Sequence, residues 1–356
     1  MSRVTRAEVC SFGEIAVVHV MSRVVRRCFL FGTDDHTGKC YNHRRAWVES
    51  ELKRLAAGFG IDLLAYTILS NHLHLVLRTR PDIVESWDDT EAARRWLVAC
   101  PIRKGANEPT KPELNSIRND PVKLKAIRRR LSCISWWMKL LCQRIAQRAN
   151  KESEEKGVFW SGRFKAVRLL DETSILACAA YVDLNPIRAA MAETLESSCY
   201  TSIKTRIESL LQETETKEST EESDASPDRF LAPVQIDEHH DPLGPRPSRT
   251  KCRASDKGFL PISRAAYIEL LDWTSRQVAP GKRGCTPESA PPIFERLEIS
   301  PETWCSLVGA FGRLFHHVAG KPHMVASARG KLRRRRFRIS PEAQAIFGSA
   351  ADPPIA

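Results

Sequence analysis

The sequence has no long apolar runs and no regular cysteine spacing. No stretch approaches the roughly 18 consecutive apolar residues that suggest a membrane helix. The short apolar run at residues 15–21 contains His19 and is followed by Arg23, unlike a secretory signal. The 11 cysteines are odd in number and never form Cys-x-x-Cys, which argues against a disulfide scaffold. We therefore expect reduced thiols, no membrane partner, and a cytoplasmic, nucleoid-associated protein.

Acidic residues are outnumbered by basic ones. The 55 lysines and arginines exceed the 43 acidic residues and give a net charge of +12, which points to a polyanionic partner. Hydrophobic residues make up 42% of the chain, enough for a packed core, so a wholly disordered protein is excluded. A length of 356 residues suggests about two domains, at roughly 150 residues per domain.

The first part of the chain predicts a sheet with helices. β-branched residues over 15–25 predict a strand, and apolar residues at helical spacing over 48–59 predict a helix. Residues 61–69 and 72–79 predict an antiparallel strand pair around Ser70. We expect an α+β fold whose central antiparallel sheet carries helices on one face and the functional site on the other.

The middle of the chain predicts an insertion, a basic helix and a strand-helix pair. Five prolines between 81 and 121 predict an irregular insertion outside the core. Residues 122–148 hold eight basic and no acidic residues, with apolar positions at three- and four-residue steps, which predicts an amphipathic basic helix. A strand at 164–170 and a helix at 172–185, ended by Pro186, follow.

Beyond residue 207 the composition changes. Residues 208–250 are acidic and then Pro-rich, which predicts a flexible linker. Residues 251–356 predict a smaller helical accessory domain with a basic tail, suited to DNA binding or targeting.

Two histidines on one strand are the first candidate site residues. Alternate side chains of a strand share a face, so His72 and His74 point together while Leu73 and Leu75 point the other way. Two imidazoles about 7 Å apart can converge on one divalent ion. The alternative is that both are ordinary polar residues of a half-buried strand.

A tyrosine and an asparagine on one helical face are the second pair. Tyr181 and Asn185 are four residues apart. A phenol with a pKa near 10 is a poor nucleophile, so a catalytic tyrosine needs a phosphorus activated by a metal or by cations. The alternative is a tyrosine at the edge of the core and an asparagine at a helix end.

Together these motifs resemble the HUH single-tyrosine transposases, and within them the REP-associated tyrosine transposases. The resemblance covers about residues 12–207, which would form the catalytic domain with an insertion at about 81–121. It rests on three motifs in this order: Asn71-His-Leu-His74, Phe159-Trp-Ser-Gly-Arg-Phe164 and Tyr181-Val-Asp-Leu-Asn-Pro-Ile-Arg-Ala189. Ser70 stands where the family usually has proline, and the insertion is longer than the family leads us to expect.

The resemblance implies a ferredoxin-like HUH fold and a specific chemistry. His72 and His74 would bind Mg²⁺ or Mn²⁺, with Asn185 as the third ligand. Tyr181 would cleave and rejoin single-stranded DNA through a 5′-phosphotyrosine link, in DNA transposition. Family members typically recognise DNA hairpins, and related enzymes often act as dimers, so a homodimer is possible.

Basic residues near these motifs are candidates for phosphate contacts. Arg163 and Arg188 lie beside the predicted centre, and Arg128, Arg129 and Arg130 lie on the basic helix. Ordinary surface charge is the alternative. Two other functions stay open: a noncatalytic or domesticated DNA-hairpin binder, and a replication or relaxase enzyme, whose additional helicase or relaxase features we do not find.

Overall fold

The chain folds around one five-stranded sheet. The computed structural model describes residues 9–11, 13–25, 28–34, 36–103, 108–216, 226–236, 244–278, 294, 297, 299–331 and 337–348. The strand order is β2-β3-β1-β4-β5, and all neighbours are antiparallel except β4 and β5. The strands are β1 (Val17–Arg23), β2 (Ile61–Ile68), β3 (His72–Thr79), β4 (Lys165–Leu169) and β5 (Val318–Ala319).

Helices follow most of these strands. In the first half of the chain they are α1 (Arg44–Gly58), α2 (Pro81–Ser86), α3 (Asp89–Ala99), α4 (Lys111–Arg118), α5 (Pro121–Leu131) and α6 (Ile134–Ser153). In the second half they are α7 (Glu172–Asp183), α8 (Asn185–Arg188), α9 (Ser202–Thr216), α10 (Arg264–Val278), α11 (Pro301–Leu314), α12 (Pro322–Lys331) and α13 (Pro341–Gly348). The α+β class and the β2-β3 hairpin are confirmed, and the ferredoxin-like topology stays a prediction.

Helices cover both faces of the sheet, so the expectation of helices on one face is wrong. On the first face, Val20 and Leu75 pack with α1 and α6. On the other face, Val76 and Val167 pack with α7 and α11. Both faces carry apolar side chains that must be covered, and the C-terminal helices cover the second one. The candidate site lies on this second face.

Most of the described residues of segment 81–121 are helical, so the expectation of irregular structure there is wrong, while its status as an insertion stays a prediction. Pro81, Pro112 and Pro121 occupy the first turns of α2, α4 and α5, where a missing N–H costs nothing. The prolines therefore mark helix starts. The four helices share a small core that includes Trp87 and Ile127.

Two helix boundaries differ from the sequence expectation. The predicted basic helix is divided at 132–133 into α5 and α6. The helix carrying Tyr181 ends at Asp183, and Asn185 begins the short helix α8 with Pro186 in its first turn.

The predicted linker 208–250 is structured in most of the part described here. Residues 208–216 continue α9, and Phe230, Leu231, Ala232 and Val234 are buried. The backbone N–H of Ala232 donates to the Leu63 carbonyl of β2. Helices of the predicted accessory domain join the apolar cluster around α7. The domain boundaries stay a prediction, and residues 217–225 and 237–243 of the linker lie outside the described residues.

Two further sequence expectations concern the tail and the membrane. Residues 332–336 of the basic tail lie outside the described residues. Across the part of the chain that the structure describes, no helix combines the length and apolarity needed to span a membrane.

Candidate active site

Three histidines meet on the second face of the sheet. His74 on β3 and His19 on β1 stack with ring planes 8° apart and centroids 5.1 Å apart. His19 Nε2 and His74 Nδ1 lie 2.8 Å apart in a hydrogen bond. The ring of His72 lies 5.0 Å from that of His74. The predicted common orientation of His72 and His74 is therefore confirmed, and His19 joins them.

The His19–His74 pair is buried, and burial disfavours the charged form of both rings. Burial lowers the pKa of His19 to about 4. Burial, followed by repulsion from His19, His72 and Arg188, lowers the pKa of His74 well below its usual value. Burial, followed by the charge of Arg23, lowers the pKa of His72 to about 4. His74 Nε2 is buried and has no hydrogen-bond partner among the described residues. This nitrogen is therefore available to a ligand.

Tyr181 projects from α7 toward this cluster. Its ring stands edge-on to His74 at 5.5 Å and to His19 at 6.0 Å. Burial raises the pKa of the phenol, while the Arg188 guanidinium and a hydrogen bond with Asn185 act in the opposite direction. The structure thus brings together Tyr181, His74 and Asn185, as the sequence predicted.

The C-terminal helix α11 closes one side of the site. Phe311 stacks on Tyr181 at 5.7 Å, and a Cβ at Gly312 would lie only 2.8 Å from the Tyr181 hydroxyl. Arg188 donates to the carbonyls of Val308, at 3.3 Å, and Gly309. Arg188 therefore ties α8 to α11 in this structure, and its predicted phosphate contact stays a prediction.

A cavity of about 470 Å³ opens between these elements. Its walls come from the sheet, from α7 and α8, and from residues 309–316. The lining residues are His19, Met21, His74, Lys165, Val167, Tyr181, Arg188, Gly309, Ala310, Gly312, Arg313, Phe315 and His316. The candidate nucleophile therefore faces an open volume with basic walls.

The chemistry of the side chains fits a divalent ion only in part. Neutral imidazoles are the ligand form, and the unpartnered Nε2 of His74 is placed as a ligand atom would be. Within the described ranges, no three His, Cys, Asp or Glu side chains form a group that could hold a metal. A metal would depend on His72, His74 and the amide oxygen of Asn185. Without a carboxylate, this set suits Mn²⁺ better than Mg²⁺.

The other predicted basic residues lie away from this cluster. Arg128 donates to the carbonyls of Val84 and Trp87 and so holds α5 against α2. Arg130 stacks on Trp136 at 4.5 Å, and Arg129 is exposed on α5. None of these described contacts reaches the site, so a role for these three arginines in DNA binding stays a prediction.

Arg163 lies in a second, open cavity near the start of β4. This cavity holds about 370 Å³ and also contains Trp136, Lys139 and Phe164. Trp137 is fully buried, whereas Trp136 is partly buried beneath Arg130 and Lys139. Trp137 is therefore a core residue, whereas Trp136 lies at the edge of the core.

His19 and the α11 wall of the site were not predicted from the sequence. His19 shares a face with His74 because β1 pairs with β3 in the register that places His19 opposite Val76. The available signal was a polar residue inside a β-branched run. For α11 the signal was weaker: the closely spaced small residues Gly309, Ala310 and Gly312 in an apolar helix.

Comparison with known proteins gives one structural likeness. No protein-family model matches the chain, and no curated protein matches it. A solved structure of a REP-associated tyrosine transposase bound to a REP hairpin superimposes with a TM-score of 0.32 at 10% sequence identity. The match covers 58% of this chain and 86% of that one. Functional inference therefore rests on the geometry of this chain's own site.

Proposed function

We propose that this protein is a tyrosine transposase-like enzyme that cleaves and rejoins single-stranded DNA through a 5′-phosphotyrosine intermediate, in DNA transposition. The observation that carries the proposal is the convergence of Tyr181 with His74 and Asn185, residues from three different elements, beside an open cavity. The motifs that resemble the HUH single-tyrosine transposases supply the same residues in the same order.

The proposed reaction is a transesterification at phosphorus. The Tyr181 oxygen forms a bond to the phosphorus, and the bond to the 3′ oxygen of the neighbouring nucleotide breaks. The phenol loses its proton, and the departing oxygen gains one and becomes a free 3′-OH. Because the phosphotyrosine bond retains the energy of the original phosphodiester, a second 3′-OH can reverse the step without ATP.

Burial raises the pKa of the Tyr181 phenol, and two neighbouring side chains partly offset this effect. Arg188 lies with its guanidinium carbon 5.3 Å from the ring centroid, and its charge favours the phenolate. Asn185 stabilises the same form through its hydrogen bond. Phe311 packs against the ring and restricts its orientation.

A divalent ion would be held by His72, His74 and Asn185. When bound, it would polarise the phosphate and offset the developing negative charge. We propose Mn²⁺ or Mg²⁺ in this role.

The test is a covalent-adduct assay. Purified protein is incubated with labelled single-stranded and hairpin oligonucleotides, with and without Mn²⁺ or Mg²⁺, and SDS-resistant adducts are measured. We expect a metal-dependent adduct that disappears in Tyr181→Phe, while DNA affinity changes little. Tyr41→Phe is the matched control, because Tyr41 lies in a loop near Arg44 rather than in the site.

A noncatalytic DNA-hairpin binder is the second candidate. It is favoured by the close approach of Gly312, which leaves no room for a Cβ beside the Tyr181 hydroxyl, and by the hydrogen bonds of Arg188 to backbone carbonyls. Tight binding with no adduct under any metal condition would establish this candidate and reject the enzyme. Nucleoid association and a homodimer are compatible with both the enzyme and the noncatalytic binder.

A further inference from the structure

The cavity beside Tyr181 has one wall made by the sheet and one made by the C-terminal part of the chain. The second wall is firmly attached, because the N–H of Leu170 donates to the Ala319 carbonyl at 3.0 Å, where β4 pairs with β5. The carboxylate of Asp171 also accepts from the Lys321 N–H at 2.6 Å. At the other end of the wall, Arg188 donates to the Val308 and Gly309 carbonyls, so residues 309–316 are held beside the site at both ends.

Positive charge is distributed along both walls of this cavity. Lys165 begins β4 on the sheet side, and Arg313 lies in the last turn of α11 on the opposite side. None of the described residues that line the cavity is acidic. Arg313 pairs with Glu342 at 2.8 Å, but both side chains are more than half exposed, so this pair holds Arg313 only weakly.

The size and lining of the cavity suggest what it binds. A single phosphate is usually held by donors that converge on one point, whereas these cations lie on separate elements around about 470 Å³. Tyr181, Phe315 and Val167 add aromatic and apolar surface between them. Alternating cationic and aromatic surface is typical of sites for single-stranded nucleic acid.

We propose that this cavity binds the phosphodiester backbone of single-stranded DNA next to the bond that is cut, and that Lys165 and Arg313 contact its phosphates. The inference rests on the proposed function for the identity of the strand. It assigns Lys165 and Arg313 roles beyond those of the sequence motifs. It also makes the C-terminal part of the chain a component of the DNA site. Arg188 is engaged by the α11 carbonyls, which leaves Lys165 and Arg313 as the cations with exposed side chains.

The test measures binding without cleavage. Full-length Tyr181→Phe protein is titrated without metal against a fluorescent oligothymidylate of about 20 nucleotides over a range of salt concentrations. We expect Lys165→Ala and Arg313→Ala, each added to this background, to weaken binding about 5- to 10-fold. Each should also lower the salt slope by about 0.7, the value for one lost phosphate contact on a single strand.

The matched control is Arg276→Ala on α10. Arg276 is 47% exposed, pairs with Asp272 on its own helix, and does not line the cavity. Arg276→Ala removes one positive charge from the protein, as Lys165→Ala and Arg313→Ala do. Equal weakening by all three variants would mean that only net charge matters, and no weakening by Lys165→Ala and Arg313→Ala would also overturn the proposal.

A second variant tests the cavity without changing charge. Ala310→Leu adds bulk to the cavity wall and should weaken oligothymidylate binding while the melting temperature shows that the protein is folded. Unchanged binding by folded Ala310→Leu would place the strand outside the cavity. Tighter binding of an oligouridylate than of the oligothymidylate would overturn the assignment to DNA.

The two proposals can fail separately. An adduct in wild-type protein together with unchanged affinity in Lys165→Ala and Arg313→Ala would reject the strand site and keep the enzyme. Reduced affinity in both variants without any adduct would keep the strand site and reject the enzyme.

Discussion

At the scale of single residues, a hydrogen bond between two buried imidazoles determines which nitrogen of each ring carries the proton. Each neutral ring carries one donor and one acceptor, so either His19 or His74 donates along the 2.8 Å contact. A metal bound at His74 Nε2 requires an unprotonated Nε2, and therefore a proton on His74 Nδ1 that is donated to His19. If the proposed ion binds, His19 would be a positioning residue for His74.

We expect His19→Leu to lower the free energy of unfolding by about 1–2 kcal/mol, because His74 Nδ1 would lose its partner in a buried place. The variant should also weaken Mn²⁺ binding by about tenfold, in the range seen for lost outer-sphere partners. Urea unfolding and isothermal titration with Mn²⁺ measure the two effects. His19→Gln, whose terminal amide reaches the position of the imidazole Nε2, should restore most of both. Equal Mn²⁺ affinity in all three proteins would contradict the role.

At the scale of elements, glycines set how closely the helical layer approaches the sheet. Gly60 lies between α1 and β2, where an added Cβ would be 2.2 Å from Val84 of α2. Its N–H donates to the Leu131 carbonyl of α5, and its carbonyl accepts from the Arg80 N–H, both at 2.9 Å. Gly60 therefore joins the end of α5 and the residue before α2 to the start of β2.

We expect Gly60→Ala to lower the free energy of unfolding by about 1–3 kcal/mol, the usual cost of overpacking. The matched control is Gly330→Ala in α12, where an added Cβ meets nothing within 4 Å. There the higher helix propensity of alanine should stabilise the protein by up to about 1 kcal/mol. Thermal or urea unfolding compares the two, and effects of the same sign would contradict this account.

At the scale of the whole molecule, buried arginines join distant parts of the chain to the sheet. Arg78 on β3 pairs with Asp62 at 2.8 Å and donates to the Gly258 carbonyl at 2.8 Å. Arg206 on α9 is almost fully buried and donates to the carbonyls of Leu64 and Ala232. Segments before and after residue 250 are thus parts of one packed structure.

We expect a chain truncated after residue 250 not to fold stably. The truncation uncovers the α7 side of the core, where each large apolar side chain contributes about 1.5–3 kcal/mol. Loss of several such contacts approaches the total stability of a typical domain, about 5–15 kcal/mol. A cooperative transition at the full-length temperature in the shorter chain would show an independent N-terminal domain.

Local patterns in the sequence were enough to predict several elements and which of the candidate site residues lie together. Alternation placed His72 and His74 on one face, and helical spacing placed Tyr181 near Asn185, because both depend only on neighbouring residues. Strand pairing placed His19 beside His74, and long-range packing placed α11 over Tyr181. Packing between distant segments also orders the described parts of residues 81–131 and of the linker predicted at 208–250. Strand register and helix packing depend on contacts between residues far apart in sequence, so only the tertiary structure decided them.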